Sequence, residues 1–156
     1  MSASRKRSDK NQTIVYSPDV DMASAPTQKN AADIRAWLEA NEISEVECLV
    51  PDMTGNARGK FIPAHQFLNS SDLKLPESIM VQTVTGEYTD EHWVFVEPTD
   101  TDMLLVPDPN TLRKVPWARE PTAQIIADCY KASGEPHPLA SRNVLKHIIK
   151  LYEEVG

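Results

Sequence analysis

Twelve prolines stand against five glycines in a chain of 156 residues. Proline fixes φ and removes a backbone donor, so a chain punctuated this often is built from extended segments and fixed turns rather than as a helical bundle. The length suits one ordinary domain, with room for a tail. Hydrophobic residues make up 40% of the chain and mean hydropathy is −0.42. That supports one modest core, with part of the chain solvated or awaiting a partner.

Residues 1–29 are rich in Ser, Asp, Lys, Asn and Pro, with Ile14-Val15-Tyr16 their only apolar group. Such a stretch buries too little surface to offset its ordering entropy and reads as a disordered polar tail. Asn30 is a candidate helix cap, with Asp33 in the first turn and Ile34, Trp37 and Leu38 at helical spacing up to about Asn41. Residues 45–50 read as a strand ended by Pro51, residues 52–59 as a tight connection, and residues 60–63 as a second strand, together a hairpin. A brief helix follows over 64–68, with strands over 78–84, 102–106 and 123–130 and a proline-punctuated surface wrap over 107–121. Several strands with one or two short helices predict a small mixed sheet of α+β class.

The last segment differs. Ser141 is a plausible helix cap, and Val144, Leu145, Ile148, Ile149, Leu151, Tyr152 and Val155 form a broad apolar stripe at helical spacing, with Gly156 as a natural stop. That face must be covered, either by the preceding sheet or by a further domain. The pattern favours the further domain, so the sequence reads as truncated.

The net charge of −7 argues against nucleic acid as the main partner, and Arg5-Lys6-Arg7 reads as part of a solvated tail. Cys48 and Cys129 each sit in an apolar run and read as buried small hydrophobes rather than a disulfide or zinc site. No apolar stretch reaches the length of a membrane helix and no signal-peptide core is visible, so a cytoplasmic protein with no membrane partner is expected. His65, His92, His137 and His147 lack metal-ligand spacing.

The segment from Asp52 to Lys60 invites comparison with a phosphate-binding loop, but three residues separate Gly55 from Gly59 where that loop needs four, and Phe61 follows Lys60. Asp52 itself follows an apolar strand at the mouth of a loop. It is either a turn residue bonding its own backbone or a carboxylate that holds a cationic amine, and the residues alone favour the turn. Glu87, Asp90 and Glu91 surround Tyr88, with Trp93 close behind. A polyamine would suit such a cluster, though a solvated acidic loop is the weightier reading.

Asp52-Met53-Thr54-Gly55-Asn56-Ala57-Arg58-Gly59-Lys60-Phe61-Ile62-Pro63 followed by Ala64-His65-Gln66 resembles the front-domain signature of the glutamine synthetase superfamily. Asp102-Met103-Leu104-Leu105-Val106-Pro107-Asp108-Pro109, Pro116-Trp117-Ala118 and Pro121-Thr122-Ala123-Gln124 resemble later family segments, and Ser141-Arg142-Asn143-Val144-Leu145 resembles the first helix of its catalytic domain. Arg58-Gly59-Lys60, Leu75-Pro76-Glu77-Ser78 and Gln82-Thr83-Val84-Thr85-Gly86-Glu87-Tyr88 look most like the γ-glutamylpolyamine (γ-glutamylputrescine) synthetase branch. The resemblance runs from about Ala31 to the end of the chain.

It implies a β-grasp front domain over 30–136, with 137–156 starting a catalytic domain that lies beyond. It also implies an ATP-dependent ligase joining glutamate to putrescine through a γ-glutamyl phosphate, in polyamine catabolism and nitrogen metabolism, with Mg2+ or Mn2+ and a ring-shaped homo-oligomer. The chain alone would be inactive, its ATP and metal ligands lying outside it. Asp52 matches the family aspartate that binds ammonium and helps deprotonate it, and Gly55 would help to position that carboxylate. The alternatives are an ammonia-using glutamine synthetase fragment and a stand-alone β-grasp binding module without catalysis.

Overall fold

The computed structural model describes residues 28–69, 73–96 and 98–156, with side chains from residue 33 onward. Arg5-Lys6-Arg7, Ile14-Val15-Tyr16 and nearly all of the expected tail lie outside the described residues. The elements are α1 (Gln28–Ala40), β1 (Glu45–Pro51), β2 (Ala57–Pro63), α2 (Ala64–Asn69), β3 (Lys74–Pro76), β4 (Asp102–Pro107), β5 (Arg113–Lys114), β6 (Thr122–Tyr130) and α3 (Ser141–Val155).

β6 is the axis of one mixed sheet of order β2-β1-β6-β4-β3, with β5 also on β6. Its first half pairs parallel with β1, Glu45 beside Thr122 through Leu49 beside Ile126. Its second half pairs antiparallel with β4, Leu105 opposite Cys129. Seven of its nine residues are buried, the mark of a central strand covered on both faces. β1 alternates, sending Val46, Cys48 and Val50 inward, whereas β2 is an edge strand with Ile62 as its one buried residue. Ile34 and Leu38 of α1, Phe67 of α2, and Met80, Met103 and Ile125 join these in a single core. Each such side chain contributes about 1.5–3 kcal/mol by leaving water.

Three sequence expectations need correction. The strand expected over 78–84 is a 3-10 turn, Glu77–Val81, followed by an isolated bridge between Gln82 and Tyr88. Ile79-Met80-Val81 is an apolar run too short to separate strand from helix by period, and the Asp100 carboxylate decides the matter. It accepts from the Ser78 backbone N–H at 3.0 Å and from Ser78 Oγ at 2.9 Å. That removes the Ser78 donor from any ladder. Asp100 reaches this position with φ of 45°.

Next, α1 starts at Gln28, so Asn30 lies inside the helix and no acidic residue stands in its first turn. Gln and Lys are good helix formers and extend the helix upstream of the expected cap. Finally, Ala140, not Ser141, is the N-cap of α3, without a side-chain cap. Ser141 Oγ instead donates to the Pro51 carbonyl at 3.2 Å. The expected wrap over 107–121 is more structured than the prolines suggest, for it holds the 3-10 turn Pro109–Thr111, β5 and the buried Val115.

α3 is held at its base. Arg142 donates to Asp128 at 2.9 Å and to Asp108 at 2.7 Å, Lys146 pairs with Asp128, and the buried Asn143 amide donates to the Cys129 and His137 carbonyls. The apolar stripe beyond this anchor does not pack on the sheet. All seven of its residues are exposed, Val155 at 88%.

His137 sits beneath that anchor at 2% exposure. Its Nδ1 accepts from the Leu139 N–H at 3.3 Å, which leaves the ring proton on Nε2, 3.6 Å from Glu77. Burial pushes the His137 pKa down to about 4, and the charge of Lys131 acts in the same direction. The fold thus holds the neutral ring. Its contribution is complete above the unfolded value near 6.5 and is lost as pH falls through about 4. At about 1.4 kcal/mol per pH unit this amounts to ~3 kcal/mol. Denaturant midpoints measured from pH 7 to pH 4 are expected to fall steeply in the native protein and to flatten in His137→Gln. Parallel slopes in the two proteins would refute this account.

Candidate functional site

β1 and β2 pair from Glu45 opposite Pro63 to Pro51 opposite Ala57, which leaves residues 52–56 as the connection. The Asp52 N–H donates to the Asn56 carbonyl at 3.0 Å and the Gly55 N–H to the Asp52 carbonyl at 3.3 Å. Gly55 takes φ of +83°, a left-handed conformation that favours glycine, and a Cβ there would meet no atom within 4 Å. The turn needs the backbone freedom of Gly55, not its small volume.

Asp52 fills the middle of this turn. Its Oδ1 accepts from the Thr54 N–H (2.8 Å), Thr54 Oγ1 (2.8 Å) and the Asn56 N–H (2.9 Å), and its Oδ2 accepts from Arg58 Nε at 2.8 Å. The Asp52 side chain is 0% exposed and that of Arg58 21%. Burial alone would raise the Asp52 carboxyl. The hydrogen bonds from Arg58, Thr54 and Asn56 together outweigh it and hold the carboxyl below the ordinary range. The group is therefore a fixed anion at neutral pH and a weak proton acceptor. A carboxylate offers about four acceptor positions, and four donors reach this one, three on Oδ1 and the Arg58 Nε alone on Oδ2.

A second turn docks on the first. Arg58 Nη2 donates to the Thr83 carbonyl at 2.7 Å and Asn56 Nδ2 to the Val84 carbonyl at 3.1 Å. The second turn is closed by the Thr83 N–H on the Glu87 carbonyl and the Gly86 N–H on the Thr83 carbonyl. In the sequence Arg58 and Gly59 are visible only as parts of a motif, with no task attached to either. For Arg58 a signal existed, since a cation just past the connection stands within reach of Asp52 across the hairpin. Gly59 carries a second: a Cβ on it would lie 2.2 Å from the Cys48 carbonyl oxygen, so the two strands approach there as only glycine allows.

None of the other candidates makes a recorded hydrogen bond to the Asp52 carboxylate. Glu87, Asp90 and Glu91 are exposed, as a solvated loop requires. The Tyr88 hydroxyl is engaged, donating to Ser78 Oγ and accepting from Gln82 Nε2, and the His92 ring packs on Trp93 at 3.8 Å. His65 and His147 are exposed and His92 and His137 buried. Cys48 and Cys129 are free, buried thiols that burial pushes up to about 11 and about 12, so neither is a nucleophile at neutral pH. Among the described residues no group of three or more His, Cys, Asp or Glu could hold a metal ion, and no helix is long and apolar enough to cross a membrane.

No protein-family model matches the sequence. Similar proteins include a glutamate–isopropylamine ligase of a Pseudomonas species, 31% identical over 142 residues, which is 85% of this chain and 30% of that protein. Mouse lengsin is 24% identical over 155 residues, 90% of this chain and 27% of lengsin. A γ-glutamylanilide synthase of an Acinetobacter species is 39% identical over 54 residues, 35% of this chain and 11% of that enzyme. The chain thus spans under a third of the length of these relatives. Among solved structures, a glutamine synthase homologue superposes with a TM-score of 0.62 at 21% identity, covering 73% of this chain and 28% of that one. The mixed sheet with few helices is the β-grasp-like fold of a glutamine synthetase N-terminal domain, in agreement with the α+β expectation.

Proposed function

We propose that this chain, whose homologues and structural neighbours are proteins of the glutamine synthetase superfamily, forms the front domain of an ATP-dependent glutamate–amine ligase and carries Asp52 to the place where the amine enters. The observation that supports it most is the buried, ionised Asp52 at the end of a rigid strand, together with relatives named for joining glutamate or a γ-glutamyl group to isopropylamine or aniline. An alkylammonium needs a fixed negative partner, and Oδ2, which carries the Arg58 Nε as its single donor, is the oxygen that would serve it. Putrescine is the amine favoured by the resemblance of residues 58–60 and 82–88 to the γ-glutamylputrescine branch. In this reading a ring of cytoplasmic subunits would bring Asp52 to a neighbouring subunit's site.

ATP and a divalent metal belong to the chemistry of such ligases. Among the described residues no group of three or more His, Cys, Asp or Glu could hold the metal. One observation favours a second reading, a β-grasp module without catalysis: all four donors on Asp52 come from its own hairpin, as a purely structural residue would have it.

Phosphate release by the full-length ligase with ATP and glutamate, while the amine is varied, separates these readings. Release is expected with putrescine and to exceed that with ammonium. Release with ammonium alone would remove the polyamine assignment, and none with any amine would favour the non-catalytic module.

A further inference from the structure

We propose that Arg58 is the positioning residue of Asp52, fixing Oδ2 through Nε and locking the pair onto the 83–87 turn through Nη2. This deepens the reading of Asp52 as the amine-binding carboxylate and rests on it. The geometry uses the fork of a guanidinium. Nε reaches the carboxylate at 2.8 Å while Nη2 reaches the Thr83 carbonyl at 2.7 Å, two acceptors that stand apart in sequence and belong to different turns. A lysine ammonium carries the same charge at a single point and does not hold two such acceptors in a fixed relation.

Asp52 is otherwise held only through Oδ1, by donors of its own turn. Without Arg58 the carboxylate could swing about that oxygen, and Oδ2, whose single donor is the Arg58 Nε, would lose its direction. Asn56 adds a second tie to the same turn through the Val84 carbonyl. The two turns therefore move as one unit, with Arg58 at their junction. Burial opposes the charged form of Asp52, so loss of Arg58 also lets the carboxyl pKa rise.

The test compares Arg58→Met, Arg58→Lys and Asp52→Asn in the full-length ligase, with two readouts. In the first, side-chain carboxyl NMR follows the titration of Asp52. Its midpoint is expected to move up in Arg58→Met and less in Arg58→Lys, with the amide resonances of residues 83–87 shifting in both. In the second, kcat/KM for the amine is expected to fall about tenfold in Arg58→Met, the loss of one charge-assisted hydrogen bond, through KM for the amine rather than KM for glutamate. The acid limb of its pH profile should move to higher pH. A merely structural role would lower the active fraction and leave the pH profile and the amine KM in place.

If the Asp52 titration and amine KM are unchanged in Arg58→Met while Asp52→Asn loses turnover, the Arg58 inference is overturned and the reading of Asp52 stands. If Asp52→Asn keeps near-normal turnover, that reading falls and this inference with it. Should Arg58→Met fail to fold, Arg58→Lys decides: native amine KM, Asp52 titration and 83–87 amide positions would overturn the need for the fork.

Discussion

Replacement of Asp52 by alanine is expected to lower turnover of the full-length ligase by ~10²-fold or more, the range of a lost acid–base or charge-binding group. The same change leaves the Thr54 and Asn56 backbone donors and the Arg58 guanidinium without their acceptor. Breaking a buried pair from one side costs about 3–5 kcal/mol, so stability must be measured beside activity. Asp52→Asn separates the two effects. It keeps an oxygen for the Thr54 and Asn56 donors and removes the charge, though its amide then faces the Arg58 N–H. A hundredfold loss in Asp52→Asn, measured on folded protein with glutamate and ATP saturating, assigns the effect to the charge. Near-normal turnover with a lowered melting temperature would return Asp52 to the role of a turn residue.

Gly59→Ala is the second large effect, and it acts through the backbone. The new Cβ would stand 2.2 Å from the Cys48 carbonyl oxygen and 3.0 Å from Leu49 Cδ2. The first of these is main chain inside the β1–β2 ladder and cannot turn away as a side-chain tip can. Either β2 moves off β1 or the pairing of Leu49 with Gly59 opens. Overpacking of this kind costs about 1–3 kcal/mol, and more where the obstacle is main chain, as here. At Gly55 a Cβ meets no atom, so alanine there costs only the left-handed strain of about 1–2 kcal/mol. Urea midpoints should therefore rank the native protein above Gly55→Ala and that above Gly59→Ala. A Gly59→Ala variant as stable as Gly55→Ala would contradict the close approach of the two strands. Because Arg58 precedes Gly59, its contact with Asp52 is expected to suffer too.

The elements legible in the sequence are those whose signal is local and long enough to have a period. β1 alternates, β6 carries the apolar run Ile125-Ile126-Ala127, α2 follows Pro63, and the apolar stripe of α3 is visible along its whole length. β3 and β5 have three and two residues, too few to show any alternation. The turn at Glu77–Val81 is decided by Asp100, 22 positions from Ser78, which no window of neighbours reveals. Within the site, Asp52 and Gly55 stand out because a carboxylate and a glycine after an apolar strand mark a loop mouth. Arg58 needed the register of the hairpin to be seen as a partner. The docking of the 83–87 turn spans 25 positions between Arg58 and Thr83 and has no sequence signature. The loop mouth at Asp52 was thus readable as a place before it was readable as a network.

The parallel pairing of β1 with β6 has a consequence for how the chain comes into being. The hairpin that bears Asp52 is made early on the ribosome, yet the partner of each β1 residue on β6 stands 77 positions further along the chain. Until that partner emerges a row of unpaired amides and carbonyls on an apolar ribbon is open to any passing strand. Such distant pairing is intrinsically slow to form. Nascent chains halted before β6 should accordingly be the aggregation-prone species, and the hairpin should reach its mature protection from hydrogen exchange only after Tyr130 has left the exit tunnel.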